Sequence, residues 1–448
     1  MRLVVAGGVA AGTKAASRAR RVAPELEITL YQEEPEVSIS ECGLPYFLSG
    51  TVSGRERLVA RTPEEFARMG IEVRTRHRVE RIDPASKGLL VRDLRSGETF
   101  EDSYDRLIVA TGARAVVPPV EGTELEGVFT LRFLTDADRI LRYLEDRSPK
   151  RAVVVGGGYI GLEASENLRK IGLEVTLVQA GEHVAPTHDP EFSELVEREL
   201  AENGVEVHTG RAAEGFYGEA GRLRGVRLAG RCLDADLALV GVGIEPEVTL
   251  AREAGAKIGR TGAIRVDRHM KTSLPDVWAA GDCVETTNLA SGLPVWAPFG
   301  DTANQMGRVV GTNAATGRDE LEFPGVLATG IFRVFELPVA KTGLSEREAQ
   351  QAGFETVCAT IGSTSRAAYY PGAEKVTLKL VADGDGGTLL GAQAAGDGAD
   401  RLVDVCATAI WGRLGVADLV NLDLAYAPPF GPALSPVIQA ASVLSGRI

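Results

Sequence analysis

With 448 residues and 44% apolar content, the chain is long enough for about two to four domains with ordinary cores. A formal net charge of −13 argues against nucleic acid as the main partner, and no apolar run approaches a transmembrane segment. Its cysteines (Cys42, Cys232, Cys283, Cys358, Cys406) are odd in number and lack CxxC, and its histidines are scattered. These features predict a reduced, cytoplasmic protein without a disulfide framework or a metal site.

The chain opens directly into an apolar strand, so no signal peptide is expected. Leu3-Val4-Val5-Ala6 runs into Gly7-Gly8-Val9-Ala10-Ala11-Gly12, a helical pattern follows over Ala15–Arg21, and a second strand spans Glu27–Tyr31. This is a βαβ unit whose Gly-rich turn brings backbone N–H groups and a helix N-terminus up to a pyrophosphate. Gly7, Gly8, Ala11 and Gly12 are its candidate contacts, although Val9 occupies the middle glycine position of GxGxxG. The second strand ends in Gln32-Glu33, where an acid usually binds ribose. Gln32 can hydrogen-bond a ribose hydroxyl, and Glu33 can substitute for it. Lys14, Arg18 and Arg21 share one helix face. That face reads either as a solvated basic surface or as a cradle for a phosphate-bearing substrate.

The stretch Val37 to Phe47 carries one cysteine, Cys42, ahead of the short apolar segment Leu44-Pro45-Tyr46-Phe47. Pro45 is tolerated in a first helical turn, and the positive end of the helix dipole favours thiolate over thiol. The plainer reading is a small buried residue at a helix start.

Tyr104 to Val109 reads as a buried strand ending in the tight turn Ala110-Thr111-Gly112. After Pro118-Pro119, a second βαβ unit begins at Arg151, with the turn Gly156-Gly157-Gly158-Tyr159-Ile160-Gly161. A helix over Leu162–Ile171 and a strand over Glu174–Val178 follow. All three motif glycines are in place, so Gly156, Gly158, Tyr159, Ile160 and Gly161 are candidate dinucleotide contacts. This strand ends in the neutral Gln179, whereas an acid would select NADH and an arginine would suit NADPH. The choice stays open, with NADH slightly favoured because Ala180-Gly181-Glu182 is not basic. Asp236 to Gly243 repeats the apolar strand and glycine of the segment ending at Gly112, adding Gly243 to the candidates.

Gly7 to Gly12, Ala110-Thr111-Gly112, Gly156 to Gly161 and Ala279-Ala280-Gly281-Asp282, in this order, resemble the pyridine nucleotide–disulfide oxidoreductase family. The resemblance covers essentially the whole chain. It implies an α/β fold with two Rossmann-like domains, the NAD(P)H domain inserted in the FAD domain, and a C-terminal α+β dimerisation domain. The implied boundaries are 1–115 with 250–325 for FAD, 116–249 for NAD(P)H, and 326–448 for the interface. It further implies that Asp282 holds the FAD ribityl chain. A helix beginning near Thr302-Ala303-Asn304 would point its N-terminus at the flavin, placing Ala303 in that site.

Within the family, Phe47 stands where a CxxxxC pair would have its second cysteine, so Cys42 acts alone. Cys42-Gly43-Leu44-Pro45-Tyr46 is similar to coenzyme A disulfide reductases and NAD(P)H persulfide or polysulfide reductases. NADH oxidases and peroxidases, which cycle a sulfenic acid, typically carry a histidine in the first turn, and Gly8 to Gly12 has none. Tyr369-Tyr370-Pro371-Gly372 and Asp423 to Phe430 resemble segments that enter the partner subunit's active site. That implies a homodimer with a shared site, in which Tyr370 and Tyr426 join Cys42 in catalysis and Tyr369 meets substrate. Lys14, Arg18, Arg21 and Ser38 are the expected contacts of a coenzyme A substrate, which can cap Cys42 as a mixed disulfide. Glu41 departs from the asparagine common among coenzyme A users; a carboxylate there repels phosphate and raises the thiol pKa. No fused further domain is expected after Ile448. The rival readings are an NADH oxidase or peroxidase using the same cysteine, and a redox-sensing flavoprotein dimer without disulfide turnover.

Overall fold

A computed structural model describes all residues, 1–448, and three five-stranded sheets organise it. Strand β1 (Arg2–Ala6) pairs in parallel with β2 (Glu27–Gln32), and helix α1 (Ala10–Val22) makes the crossover between them. Leu3 to Ala6 are buried on both faces of the sheet, which is why the strand is a continuous apolar run. A short helix, α2 (Leu44–Leu48), leaves the loop after β2. Strand β3 (Arg106–Val109) lies on the other side of β1, and Val277–Ala279 adds to it in parallel. The first sheet therefore takes strands from either side of the second unit in the chain.

That second unit repeats the plan. Strand β4 (Arg151–Val155), helix α3 (Tyr159–Lys170) and strand β5 (Glu174–Val178) form its βαβ core, with β6 (Leu237–Val240) parallel to β4. In both sheets the registers place the strand ends level. Ala6 stands opposite Tyr31 and Val109, and Val155 opposite Val178 and Val240. Each Gly-rich turn thus opens at the carboxyl edge of its sheet, where doubly wound folds bind ligands.

Helix α4 (Gly300–Thr316) packs along α1 through small residues. A methyl group on Gly311 would come within 2.5 Å of the Ala15 carbonyl oxygen, so only glycine allows this approach. The third sheet is antiparallel and begins with β7 (Gly330–Val334) at its edge. Helices Ala399–Trp411 and Pro436–Ser445 cover it, burying Val403, Cys406, Val437 and Leu444.

The helices differ from expectation mainly at their starts. Helix α1 begins at Ala10 rather than Ala15, α3 at Tyr159 rather than Leu162, and α4 at Gly300 rather than Thr302. The opening turns are built from glycine and small residues that carry no apolar period, so a pattern-based reading starts late. No helix is long and apolar enough to cross a membrane.

Candidate active site

The two Gly-rich turns are built alike. Gly7 and Gly156 both adopt φ near +110°, and a Cβ on either would strike the backbone of the neighbouring strand end, at Ala110 or Gly241. L side chains rarely adopt that φ, so glycine is required at these two positions. The N-terminal turns of α1, α3 and α4 lack any side-chain cap, leaving their N–H groups free for a ligand. The glutamines that end β2 and β5 play one role. Gln32 Oε1 accepts from the Gly8 N–H at 2.8 Å, and Gln179 Oε1 accepts from the Gly157 N–H at 3.0 Å. Each amide oxygen is thereby spent on its own turn, which leaves the Nε2 donors for a ribose. Glu33 is exposed and pairs with Arg78. Thr111 donates to the Glu247 carbonyl, while Gly112 and Gly243 both take positive φ in the turns that follow their strands. Both cradles fit the pyrophosphate of a dinucleotide.

Cys42 hangs directly from the first turn. The Ser38 N–H donates to the Gly8 carbonyl at 2.8 Å, and Ser38 itself takes the left-handed φ of 59°. Residues 41–43 form one 3-10 turn that runs into α2, with Pro45 in the opening turn as expected. Tyr46 donates to Glu163 Oε1 at 3.2 Å and Ser49 donates to Asn167 Oδ1 at 2.6 Å. These two bonds dock α2, the helix that follows Cys42, on α3, the helix of the second turn.

The electrostatics correct one expectation. Cys42 keeps an exposed surface, yet its thiol is pushed up from its ordinary range by burial and then by Glu163, Glu41 and Asp282, with Arg132 opposing. Helix α2 has only five residues, and burial together with three carboxylates outweighs its dipole and one guanidinium. Burial also lifts Glu41 to about 7 against the pull of Arg132, and lifts Glu163 to about 7. Arg132 is the residue that motif reading missed. It forms an ion pair with Glu41, lies 3.3 Å from Asp282, and donates through Nε to the Ala113 carbonyl at 2.9 Å. Glu41 is thus ion-paired within the chain, yet it still adds to the upward push on the thiol. No local signal marks Arg132, which lies 91 residues from its carboxylate partner. Glu163→Gln removes the largest negative charge acting on the thiol, so it lowers the Cys42 pKa. The pH profile of alkylation of the reduced enzyme then moves to lower pH, and an unmoved profile counts against this arrangement.

The basic face of α1 divides. Arg18 Nε donates to Thr312 Oγ1 on α4 at 2.9 Å, Lys14 lies against Gly307, and exposed Arg21 turns back to the Ser17 carbonyl. Ala11 and Ala303 line the approach to Gly281, just ahead of Asp282. In the third unit, the Ala367 N–H donates to the Pro428 carbonyl, joining the two tyrosine segments. Tyr426 lies close enough to Tyr369 to push the Tyr369 phenol up. Tyr369, Tyr426, Phe430 and Leu434 are each exposed.

The family profile for pyridine nucleotide-disulphide oxidoreductases matches residues 1–299, and the dimerisation domain of that family matches residues 330–437. The NAD(P)H sulfur oxidoreductase (CoA-dependent) of Pyrococcus furiosus is 37% identical over 445 residues, covering 99% of both chains. An NADH oxidase of Methanocaldococcus jannaschii is 33% identical over 444 residues, covering 98% of each. The solved structure of an NAD-dependent persulfide reductase from A. fulgidus superimposes with a TM-score of 0.96 at 42% identity. It spans all of this chain and 83% of that one.

Proposed function

As the chain belongs to the pyridine nucleotide-disulphide oxidoreductase family, we propose that it reduces coenzyme A disulfide or related small disulfides, persulfides or polysulfides through Cys42. The observation that carries this reading is the position of Cys42, tied to the first turn by Ser38 and to the nucleotide helix α3 by Tyr46. In this reading residues 1–115 with 250–325 bind FAD, 116–249 bind NADH or NADPH, and 326–448 form the dimer interface. FAD would be held by the turn from Gly7 to Gly12, by Asp282 and by the N-terminus of α4. When bound, it supplies the two-electron relay between the nicotinamide and a sulfur.

The chain's own groups do the rest. The Cys42 thiolate attacks one sulfur of the substrate, forms a mixed disulfide and releases the first thiol. Two electrons later break that bond and release the second thiol. With Phe47 at the fifth position on, no resolving cysteine follows, so the substrate's own thiol caps Cys42. Tyr370 and Tyr426 from a second copy of the chain hydrogen-bond the departing sulfur and supply its proton. Lys14, Arg18 and Arg21 bind the phosphates of a coenzyme A substrate, with Arg18 braced by Thr312. Gln179 presents an uncharged amide where an acid would repel a 2′-phosphate.

Mass spectrometry of the small thiol released by denaturing reduction of the purified enzyme tests the reading. About one thiol per flavin is expected if it caps Cys42. A sulfenic acid on Cys42, with steady NADH consumption by oxygen, would instead favour the second reading, which the NADH oxidase relative motivates.

A further inference from the structure

A buried polar network joins the third sheet to the second nucleotide-binding unit, and nothing in the chemistry at Cys42 accounts for it. The backbone N–H of Asp189 donates to Gln393 Oε1 at 2.8 Å, and its carboxylate accepts from Gln393 Nε2. Lys379, only 3% exposed, places Nζ 2.7–3.0 Å from the carboxylates of Asp189, Glu191 and Glu346. Lys341 Nζ donates to the Thr187 carbonyl at 3.0 Å and pairs with Glu348, and Arg347 donates to the Pro186 carbonyl at 2.7 Å. The segment from Pro186 to Asp189 is thus gripped by side chains of the third unit. Desolvating a lysine with three carboxylates is costly, and apolar packing would join the units as firmly. What fixed polar geometry adds is a defined pose for the segment it grips.

His188 is the residue that this grip presents. It is 5% exposed, its Nδ1 lies 3.2 Å from the Thr187 hydroxyl, and its Nε2 has no partner. Its ring meets the edge of Tyr159 at 6.2 Å and that of Phe332 at 5.5 Å, while Tyr159 and Phe332 lie 5.0 Å apart. On the strand that carries Phe332, a Cβ on Gly330 would approach the Tyr159 hydroxyl to 3.2 Å. Burial and the nearby Lys341 push the imidazole down to about 3, so the ring stays neutral in working conditions. Tyr159 is the first residue of α3, directly after the Gly158 cap.

We propose that His188 is a positioning residue for Tyr159, through which the third unit sets the pose of Tyr159 at the nicotinamide nucleotide site. The ring of His188, backed by Lys341, Gln393 and Lys379, and the strand of Gly330 and Phe332 close on Tyr159 from two sides. Substitution at His188 therefore acts on entry of electrons from NAD(P)H and leaves their exit alone. The inference rests on the reading of Tyr159 as part of the NAD(P)H site.

The test separates the half-reactions of the FAD-loaded enzyme by stopped flow. One mixes oxidised enzyme with NADH or NADPH, and the other mixes reduced enzyme with a quinone, which does not need Cys42. His188→Ala slows flavin reduction by about tenfold or more, because a small misplacement of a positioning group is enough for that. Reoxidation by the quinone and FAD content stay unchanged, and His188→Phe, which keeps a flat ring, restores the reduction rate. Equal slowing of both half-reactions, or no slowing in His188→Ala while Tyr159→Ala is slow, overturns the proposal. Normal reduction in Tyr159→Ala overturns the underlying reading of Tyr159 instead. If His188→Ala loses FAD, Gly330→Ala decides, since its added methyl presses on the Tyr159 hydroxyl. Slowed reduction with normal reoxidation in that variant supports the proposal, and unchanged reduction removes it.

Discussion

Cys42→Ser abolishes disulfide, persulfide and polysulfide turnover while NAD(P)H still reduces the bound flavin. Loss of a nucleophile typically costs about 10⁴-fold or more in rate, and a serine hydroxyl cannot form the mixed disulfide. The bonds that close the two Gly-rich turns run through backbone N–H groups and glutamine side chains and not through the sulfur atom, so both turns survive the substitution. Stopped-flow reduction followed by steady-state assay reads the split. Retained turnover with coenzyme A disulfide and with polysulfide would remove Cys42 from the mechanism and favour a dimer without thiol chemistry. Because burial and the acidic neighbours push the thiol up, the nucleophilic form gains as pH rises through and beyond the usual thiol range. The substrate-dependent rate of wild-type enzyme climbs with pH accordingly, and in Glu163→Gln that climb starts lower.

Arg132→Met has the second large effect, on stability and flavin retention. Its guanidinium is the cation set between Glu41 and Asp282, and all three side chains are at least four-fifths buried. Removing one member of such a set leaves carboxylates desolvated and unpaired, which costs about 3 kcal/mol or more. Both acids respond by holding their protons to higher pH, since burial already raises them. For a group whose pKa is raised on folding, the contribution to stability is full below its unfolded pKa and is lost as pH rises. The variant is therefore weakest at neutral and alkaline pH, and unfolding by urea at several pH values shows it. Glu41→Gln in the same background recovers part of the loss, because one of the stranded charges is gone. An Arg132→Met enzyme with wild-type stability and FAD content would refute this assignment.

Residues tied to backbone geometry were open to reading in the sequence. The turns at Gly7 and Gly156 need a conformation that glycine supplies, and the two βαβ patterns around them followed from apolar runs and spacing. Cys42 stood out through its neighbours, Gly43 to Tyr46, and through Phe47. Residues tied to charge over long separations were hidden. Arg132 meets Glu41 across 91 positions, Tyr46 meets Glu163 across 117, and Gln393 meets Asp189 across 204. No local pattern encodes such pairs; they exist only once the sheets have packed and excluded water.

The sequence by itself determined the family, the two Gly-rich turns and the setting of Cys42 between Glu41 and Phe47, since each depends on a contiguous string. Only the tertiary structure decided the charge that Cys42 experiences. A short helix dipole pointed toward thiolate, and burial together with the adjacent Glu41 and the carboxylates of Glu163 and Asp282, brought in from separate segments, outweighs it. The structure also decided what Gln32 and Gln179 do, closing their own turns with the amide oxygen. The reason is common to both. A strand and a glycine turn are fixed by short-range sterics, whereas a pKa and an orientation belong to whichever groups packing brings near.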